Sequence, residues 1–501
     1  MLSEAPPKRC HDRAEVLRLV QEANRRGWAL YPYSTGLNWG YGGSQPPRAG
    51  CVPVDLSGMK RILNADQISV SHPVAVIEPG VTQGQLADFL AERHPGLSFN
   101  VTGSARGTSL IGNALDRGVG YLGPRREDLF GLEVVTGRGD LLHTGFRRLG
   151  EHSELANLHP YGLGPMLDGL FFQGNFGIVT SACFRLLPRL PEQVAVSLAL
   201  HDANRLGEFI DVLAALKREN VMHSVTHIGN QARTRASLSH GMHGYLASRC
   251  GLSGAELDRA LELALEVVAP GEWTSLGGVG GTAAQVRSAM SEVRHRMRGL
   301  ARVMVVTEER LNLGLKLFDA LRKWPFARAQ AAAISAVMPL HGLAVGRPTD
   351  VAIDNLLWKF GQPHLPAVRF EDSRCGVLFV SPALPMRGAY VQNFIAEMVA
   401  VAERFGHTLF TTLNIETPLA LVAICNLLFD RESESERQRA LDCATALQAL
   451  VRERGLSVYR ARADMMGEIA DPADPYWRLV RELKQVFDPN NVIAPGRYNL
   501  P

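Results

Sequence analysis

Three glycine-rich loops constrain this chain more than any other feature: STGLNWGYGG (residues 34–43), GSARGTSLIGNALDRGVG (103–120) and QGNFGIVT (173–180). Glycine adopts positive φ without a side-chain penalty and lets backbone approach a ligand closely. Successive bare amides form concave sites that suit an anion, a phosphate or pyrophosphate above all. One such loop is as readily an ordinary turn. Three, each followed by an apolar run, predict a nucleotide-sized ligand lying across several turns. None reads G-x-G-x-x-G at the head of a strand–helix unit, and no G-x-x-x-x-G-K-S/T occurs, so neither a Rossmann nicotinamide site nor a Walker A loop is supported. The residues by themselves leave the ligand open.

The rest of the pattern is α+β. Residues 14–26 carry apolar side chains at helical spacing and stop before Gly27. VAVIEPGV (74–81) reads as a strand broken by Pro79-Gly80, with Thr82 as N-cap of a helix to residue 92. GLEVVTGRGDLLHTG (131–145) predicts two strands about a turn, and FGIVTSACFRLLP (176–188) another strand. Beyond about residue 190 helices appear at 205–218, 255–268, 391–405 and 434–454, between short strands such as 376–380, and one more follows at 475–486. A chain of 501 residues exceeds one ordinary core. The expected division is a ligand-cradling domain (1–190), a larger helix-and-sheet domain (191–455) and a C-terminal return (456–501).

Charge excludes some functions. The 53 basic and 50 acidic residues leave +3, which gives no pull toward nucleic acid or an anionic membrane. No apolar run approaches 18 residues, the first eight residues lack a signal-type core, and seven cysteines lie singly without C-x-x-C. A reduced, cytoplasmic protein is expected. The 15 histidines show no H-E-x-x-H spacing, so no metal is assigned.

At this point the motifs resemble those of the vanillyl-alcohol oxidase and p-cresol methylhydroxylase family of flavoenzymes. STGLNWGYGG is similar to that family's S-x-G-R-N-x-G-Y-G loop, and SLIGNALDRGVGY (109–121) to its G-N-A-x-D/E-R-G-V-G-Y segment. YGLGPMLDGLFFQGNFGIVT and the tail FDPNNVIAPGRY are similar as well, and the likeness is weakest between about 195 and 365. The resemblance implies a PCMH-type FAD-binding domain of two α+β subdomains, closed by the C-terminal return, and a cap domain with an antiparallel sheet flanked by helices. It implies FAD held along Ser34, Thr35, Gly36, Leu37, Asn38 and Gly40, along Gly103, Ser104, Gly107, Thr108, Gly112, Asn113, Gly118, Gly120 and Tyr121, and along Gly174, Gly177, Ile178 and Val179, with Arg497 nearby. Leu37 stands where the family carries arginine.

The resemblance also implies a clamp for the oxygen of a 4-substituted phenol, formed by Tyr41, Tyr459 and Arg460. A fixed guanidinium charge and two directed hydroxyls stabilise a phenolate and so ease hydride loss from the benzylic carbon toward flavin N5. The glutamate and histidine of the p-cresol enzyme fall on Leu413 and on Val422 or Ala423. The oxidase's aspartate falls in the turn LGPRREDLFG, where Glu127 and Asp128 are the substitutes. His159, His223 and His227 are further candidates, which leaves the base unassigned. The flavin-tethering positions fall near Val377 and near Arg369 or Phe370, and Cys375 reads as a buried structural thiol, so the expected FAD is noncovalent. The function implied is an oxidase or dehydrogenase for a phenolic or related aromatic small molecule, passing electrons to O2 or a cytochrome-type carrier, in a homodimer. The alternatives are oxidation of a non-phenolic alcohol or amine, in secondary metabolism for instance, and a flavoprotein that catalyses nothing.

Overall fold

The computed structural model describes residues 6–38, 40–150, 152–357, 359 and 373–500. Arg369 and Phe370 lie outside the described residues.

The chain is α+β, and its sheets divide by sequence. A three-stranded parallel sheet joins Lys8–Arg9, Cys51–Asp55 and Ala29–Tyr33, in that order. The helix Arg13–Arg26 packs on it through Val16, Leu19, Val20 and Ala23, capped by the Asp12 carboxylate at one end and by Gly27 at φ 67° at the other. A four-stranded antiparallel sheet runs Val74–Ile77, Gly177–Arg185, Leu129–Thr136 and Leu141–His143. Both expected hairpin strands are present, and Leu129–Thr136 is buried along its whole length. Thr82 caps the helix Gln83–Arg93 through the Gln85 N–H, as its sequence predicts.

The third sheet is larger. Eight antiparallel strands take in Ala301–Val306, Glu192–Leu200, Trp273–Gly281, Thr226–Asn230, Phe410–Ile415, Ala420–Asp430 and Cys375–Val380, with Ala383–Pro385 paired to Ala420–Asp430. Helices Leu206–Arg218, Ala283–Arg296, Gly388–Arg404 and Glu434–Glu453 bury their apolar stripes in the core beneath it. Helices Gln231–Cys250, Gly254–Val268 and Pro325–Ala344 form a separate alanine-rich cluster.

The C-terminal segment returns to the first sheet. The Leu30 N–H donates to Val492 O and the Ala494 N–H to Leu30 O, both at 2.7 Å. The buried Lys484 ties this return to the third glycine loop: its ammonium donates to Asp488 (2.6 Å), to Ile493 O (2.7 Å) and to Asn175 O. Loops one and two are joined too, since the Ser109 N–H donates to Thr35 Oγ1 and the Ser109 hydroxyl to Pro79 O. Three loops remote in sequence are thus held around one cleft.

Candidate active site

Tyr41 is the centre of the arrangement. Its ring stacks on Phe379 with centroids 4.7 Å apart and planes parallel. The Arg460 guanidinium lies 4.1 Å from the ring centroid. The Tyr41 hydroxyl is 3.2 Å from Ser381 Oγ and in hydrogen-bond contact with the Tyr459 hydroxyl. The glycines on either side make this packing possible. A Cβ at Gly40 (φ 65°) would sit 2.6 Å from the Phe379 ring, and one at Gly42 (φ 127°) 2.6 Å from Ala463 Cβ. Gly40→Ala combines left-handed backbone strain with an overpacked contact, and is expected to destabilise the fold by about 3 kcal/mol in a denaturant melt.

Tyr459 and Arg460 are delivered by a loop that follows the isolated bridge between Val458 and Pro382. The Tyr459 N–H donates to Ser381 O at 3.0 Å, and its carbonyl accepts from the Gln173 amide at 2.9 Å. Three residues beyond Arg460, the Ala463 N–H donates to Tyr41 O at 2.9 Å, which closes the loop. Arg460 donates through Nε (2.9 Å) and Nη2 (2.5 Å) to Asp116 Oδ2, and to the Asn38 amide oxygen. Arg497 donates to the other oxygen of Asp116 at 3.0 Å and to the Tyr31 hydroxyl at 2.9 Å. Burial works to raise the Asp116 pKa, but the two arginines and their hydrogen bonds outweigh it and hold the carboxylate below its ordinary range. Burial likewise opposes charge on Arg460, and Asp116 with the two tyrosines more than restores it. Burial raises the Tyr41 and Tyr459 hydroxyls, Tyr459 strongly, so both remain neutral donors. Two arginines against one carboxylate leave this cluster with one formal positive charge facing outward.

Two concavities meet here. A narrow cleft is lined by Ser34, Thr35, Gly36, Leu37, Asn38, Thr108, Gly112, Asn113, Gly174, Gly177, Ile178, Val179 and Arg497, drawn from all three loops and the C-terminal return. A cavity of about 660 Å³ opens beside it, shares Leu37, Asn38, Asn113 and Arg460 with it, and adds Gly103, Ser104, Gly118, Tyr121, Tyr41 and Tyr459. Three glycines read from sequence as cofactor-binding lie on neither wall. Phe379 covers Gly40, a Cβ at Gly107 would meet Leu37 Cδ1 at 3.1 Å, and one at Gly120 would meet the Asn100 amide at 2.2 Å. These three are glycines because other side chains pack against them.

The cleft fits a dinucleotide. Thr108 Oγ1 and Asn113 Oδ1 are buried on its wall with no hydrogen-bond partner, the condition of polar atoms that a ligand completes. Arg497 and the backbone of residues 34–38 line the cleft, where they would offer positive charge and N–H groups to a pyrophosphate.

The candidate bases separate clearly. Asp128 is fully buried, bound by Arg185 at 2.8 Å and Asn100 at 2.8 Å, so it is one half of a structural ion pair. Glu127 is exposed, and His159 packs on the surface rings of Phe146 and Tyr161. His223 offers its backbone carbonyl to Lys217. His227 alone among these lines the cavity. Its ring lies 4.4 Å from that of Tyr121, its Nδ1 is 2.8 Å from Asn414 Oδ1, and its Nε2 is buried without a partner. Burial pushes its pKa down to about 4, so the imidazole is neutral at physiological pH. Leu413, Val422 and Ala423 are buried apolar strand residues. Cys375 is fully buried and burial pushes its thiol up to about 12, which makes it unreactive.

Two functional candidates escape the sequence reading. Asp116 lies inside the quoted ALDRGVGY motif, yet its partners are 344 and 381 residues away. Glu416, at the end of Phe410–Ile415, is pushed up to about 7 by burial and by Glu127, against the opposing pull of Lys217, and its charge raises the Tyr459 pKa. A carboxyl whose folded pKa is raised contributes stability that is complete below its unfolded pKa of about 4.3 and is lost as pH climbs to 7. Glu416→Gln should therefore gain stability relative to the parent between pH 4.5 and 7, by on the order of 2 kcal/mol, as read from melts across that range.

Comparison with known proteins bears on the fold and the cofactor class. A family signature described as an FAD binding domain matches residues 8–145. The 1'-carboxy-chondrochloren decarboxylase of Chondromyces crocatus is 29% identical over 498 residues, which cover 97% of this chain and 88% of the relative. The 4-cresol dehydrogenase (hydroxylating) flavoprotein subunit of Pseudomonas putida is 27% identical over 488 residues, 96% of this chain and 85% of the relative. The crystal structure of p-cresol methylhydroxylase with substrate bound superposes with a TM-score of 0.79 at 23% identity, over 98% of this chain and 88% of that one. The signature, the near-full-length relatives and the shared fold make this chain an FAD-dependent oxidoreductase built on the PCMH-type FAD-binding fold, similar to the p-cresol methylhydroxylase flavoprotein.

Proposed function

We propose that the protein oxidises a 4-substituted phenol bound in the 660 Å³ cavity. The observation that carries this reading is the cluster of Tyr41, Tyr459 and Arg460: two neutral hydroxyls in contact, backed by a guanidinium whose charge Asp116 fixes. Such a cluster holds a phenol oxygen and favours its anionic form, because the donors are already oriented and lie in a largely dry wall. FAD bound in the adjoining cleft, noncovalently since Val377 and the buried Cys375 offer no tether, supplies the hydride acceptor for the substrate's benzylic carbon. His227 takes the proton released from the phenol or from an attacking water, at its free Nε2, because Asn414 fixes the ring hydrogen on Nδ1. The test is anaerobic titration of the yellow holoprotein with 4-alkylphenols. Loss of the visible flavin band is expected, whereas an unchanged band with every such phenol would refute the reading and favour a non-phenolic alcohol or amine. His227→Gln keeps a polar group but no base, and should lower the rate of that bleaching by roughly 10²–10⁴-fold with flavin content unchanged.

A second reading has one observation in its favour, the half-buried Arg233 on the same cavity wall. One near-full-length relative is named as a decarboxylase of a carboxy compound. For a phenol with a carboxylate on the carbon next to the benzylic one, hydride loss and release of CO2 convert the side chain to a vinyl group. One C–H and one C–C bond break, the C=C bond forms, and two electrons leave with the hydride.

A further inference from the structure

Most buried arginines of this protein have an evident partner. Arg460 is held by Asp116 and Arg462 by Asp464. Arg125, wholly in the core, lies against the rings of Phe99 and Phe184, reaches the Gln83 amide oxygen through Nη2 and has the Asp128 carboxylate as its counter-charge, although its Nε and Nη1 make no hydrogen bond. Arg233 differs. It stands at the third position of the helix Gln231–Cys250, where its own N–H caps onto the Asn230 side chain at 3.0 Å, and this turn directs the side chain to the cavity wall. Its Nη1 is buried with no hydrogen-bond partner, and no ion pair to it exists among the described residues. A guanidinium half withdrawn from water, with one nitrogen buried and no counter-charge, is disfavoured. Retention of one on a ligand cavity is accounted for when the ligand brings the missing charge.

We propose that Arg233 is the recognition site for a carboxylate carried by the substrate's side chain, which rests on the phenolic reading above. The planar fork of arginine matches a carboxylate with two parallel hydrogen bonds. Tyr121 lines the same cavity close to Arg233 and adds a hydroxyl donor, while the Thr234 and Ser237 hydroxyls there are engaged with Thr274 and with the Arg233 carbonyl. The electrostatics agree: Arg302 also lines the cavity, and Glu266 is the one carboxylate on its described wall. The substrate class is therefore a phenol with an acidic para side chain, the oxygen held at Tyr41, Tyr459 and Arg460 and the acid at Arg233.

Calorimetric titration of dithionite-reduced holoprotein, in which no hydride can be accepted, tests this with 4-ethylphenol, 3-(4-hydroxyphenyl)propanoate and 3-phenylpropanoate. The phenolic acid should bind roughly ten- to a hundredfold more tightly than 4-ethylphenol. Arg233→Gln should abolish that preference while 4-ethylphenol affinity and FAD content hold, and Arg233→Lys should restore part of it. An acid bound no better than 4-ethylphenol, or a preference that survives in Arg233→Gln, overturns the proposal. Loss of FAD from Arg233→Gln with the preference intact does so too, and assigns the residue to the cofactor. If 3-phenylpropanoate binds as tightly as the phenolic acid and depends on Arg233, the phenolic reading fails while the carboxylate site stands.

Discussion

Arg460→Ala is expected to lower turnover of 4-substituted phenols by about 10²–10³-fold, the loss typical when one preorganised donor to a developing anion is removed. The effect should fall on the chemical step and on phenolate binding, because Arg460 lies over Tyr41 and holds the positive charge beside its hydroxyl. FAD content should fall far less, since Arg497 and the glycine-loop backbone remain on the cleft. Rapid-reaction measurement of flavin reduction, with FAD released by heat as the control, separates the two. Equal loss of both would show that Arg460 supports the cleft and makes no clamp.

Asp116→Ala is expected to be more damaging to the fold. Asp116 is buried and binds Arg460, Arg497 and the Asn38 amide together, so its removal strands two guanidinium groups in a low-dielectric wall. Breaking a buried pair in this way destabilises by about 3–5 kcal/mol. FAD content and phenol binding should both fall, because the carboxylate orients one arginine toward each ligand. Asp116→Asn keeps the shape and part of the hydrogen bonding and should lose less. The pH dependence follows from the depressed folded pKa of Asp116. Its stabilisation is complete above the ordinary carboxylate pKa of about 3.9 and is lost as pH falls below it through the folded value. Thermal melts of parent and Asp116→Asn should therefore converge in acid and diverge toward neutrality, and parallel curves would contradict the assignment.

Local sequence was informative wherever a local cause sets structure. Thr82 and Gly27 end helices by their own chemistry, and the two strands around GRGD pair across the turn that their residues predict. The middle of the chain was harder to read for physical reasons that the fold exposes. Trp273–Gly281 reads WTSLGGVGG, a loop-like composition, yet it is a strand at the centre of the eight-stranded sheet. A Cβ at Gly277 would lie 2.6 Å from Met222 Cε, so glycine there serves close packing. The helix Gln231–Cys250 carries little amphipathic pattern because it contacts both the sheet and three neighbouring helices, while Arg233 faces the cavity.

What the sequence determined by itself was the set of motifs: three glycine loops, a tyrosine held between glycines, and a Tyr-Arg pair near the end, together with the FAD-binding family they imply. Those motifs are short, and their chemistry is carried by residues adjacent in the chain. Only the tertiary structure decided which groups share a site. Asp116 acquires its importance from arginines 344 and 381 residues away, and His227 from an asparagine 187 residues away. The unpaired charge of Arg233 likewise becomes visible only when every neighbouring element is in place. Charge balance and proton affinity depend on distance and burial in space, and sequence order carries neither across such separations.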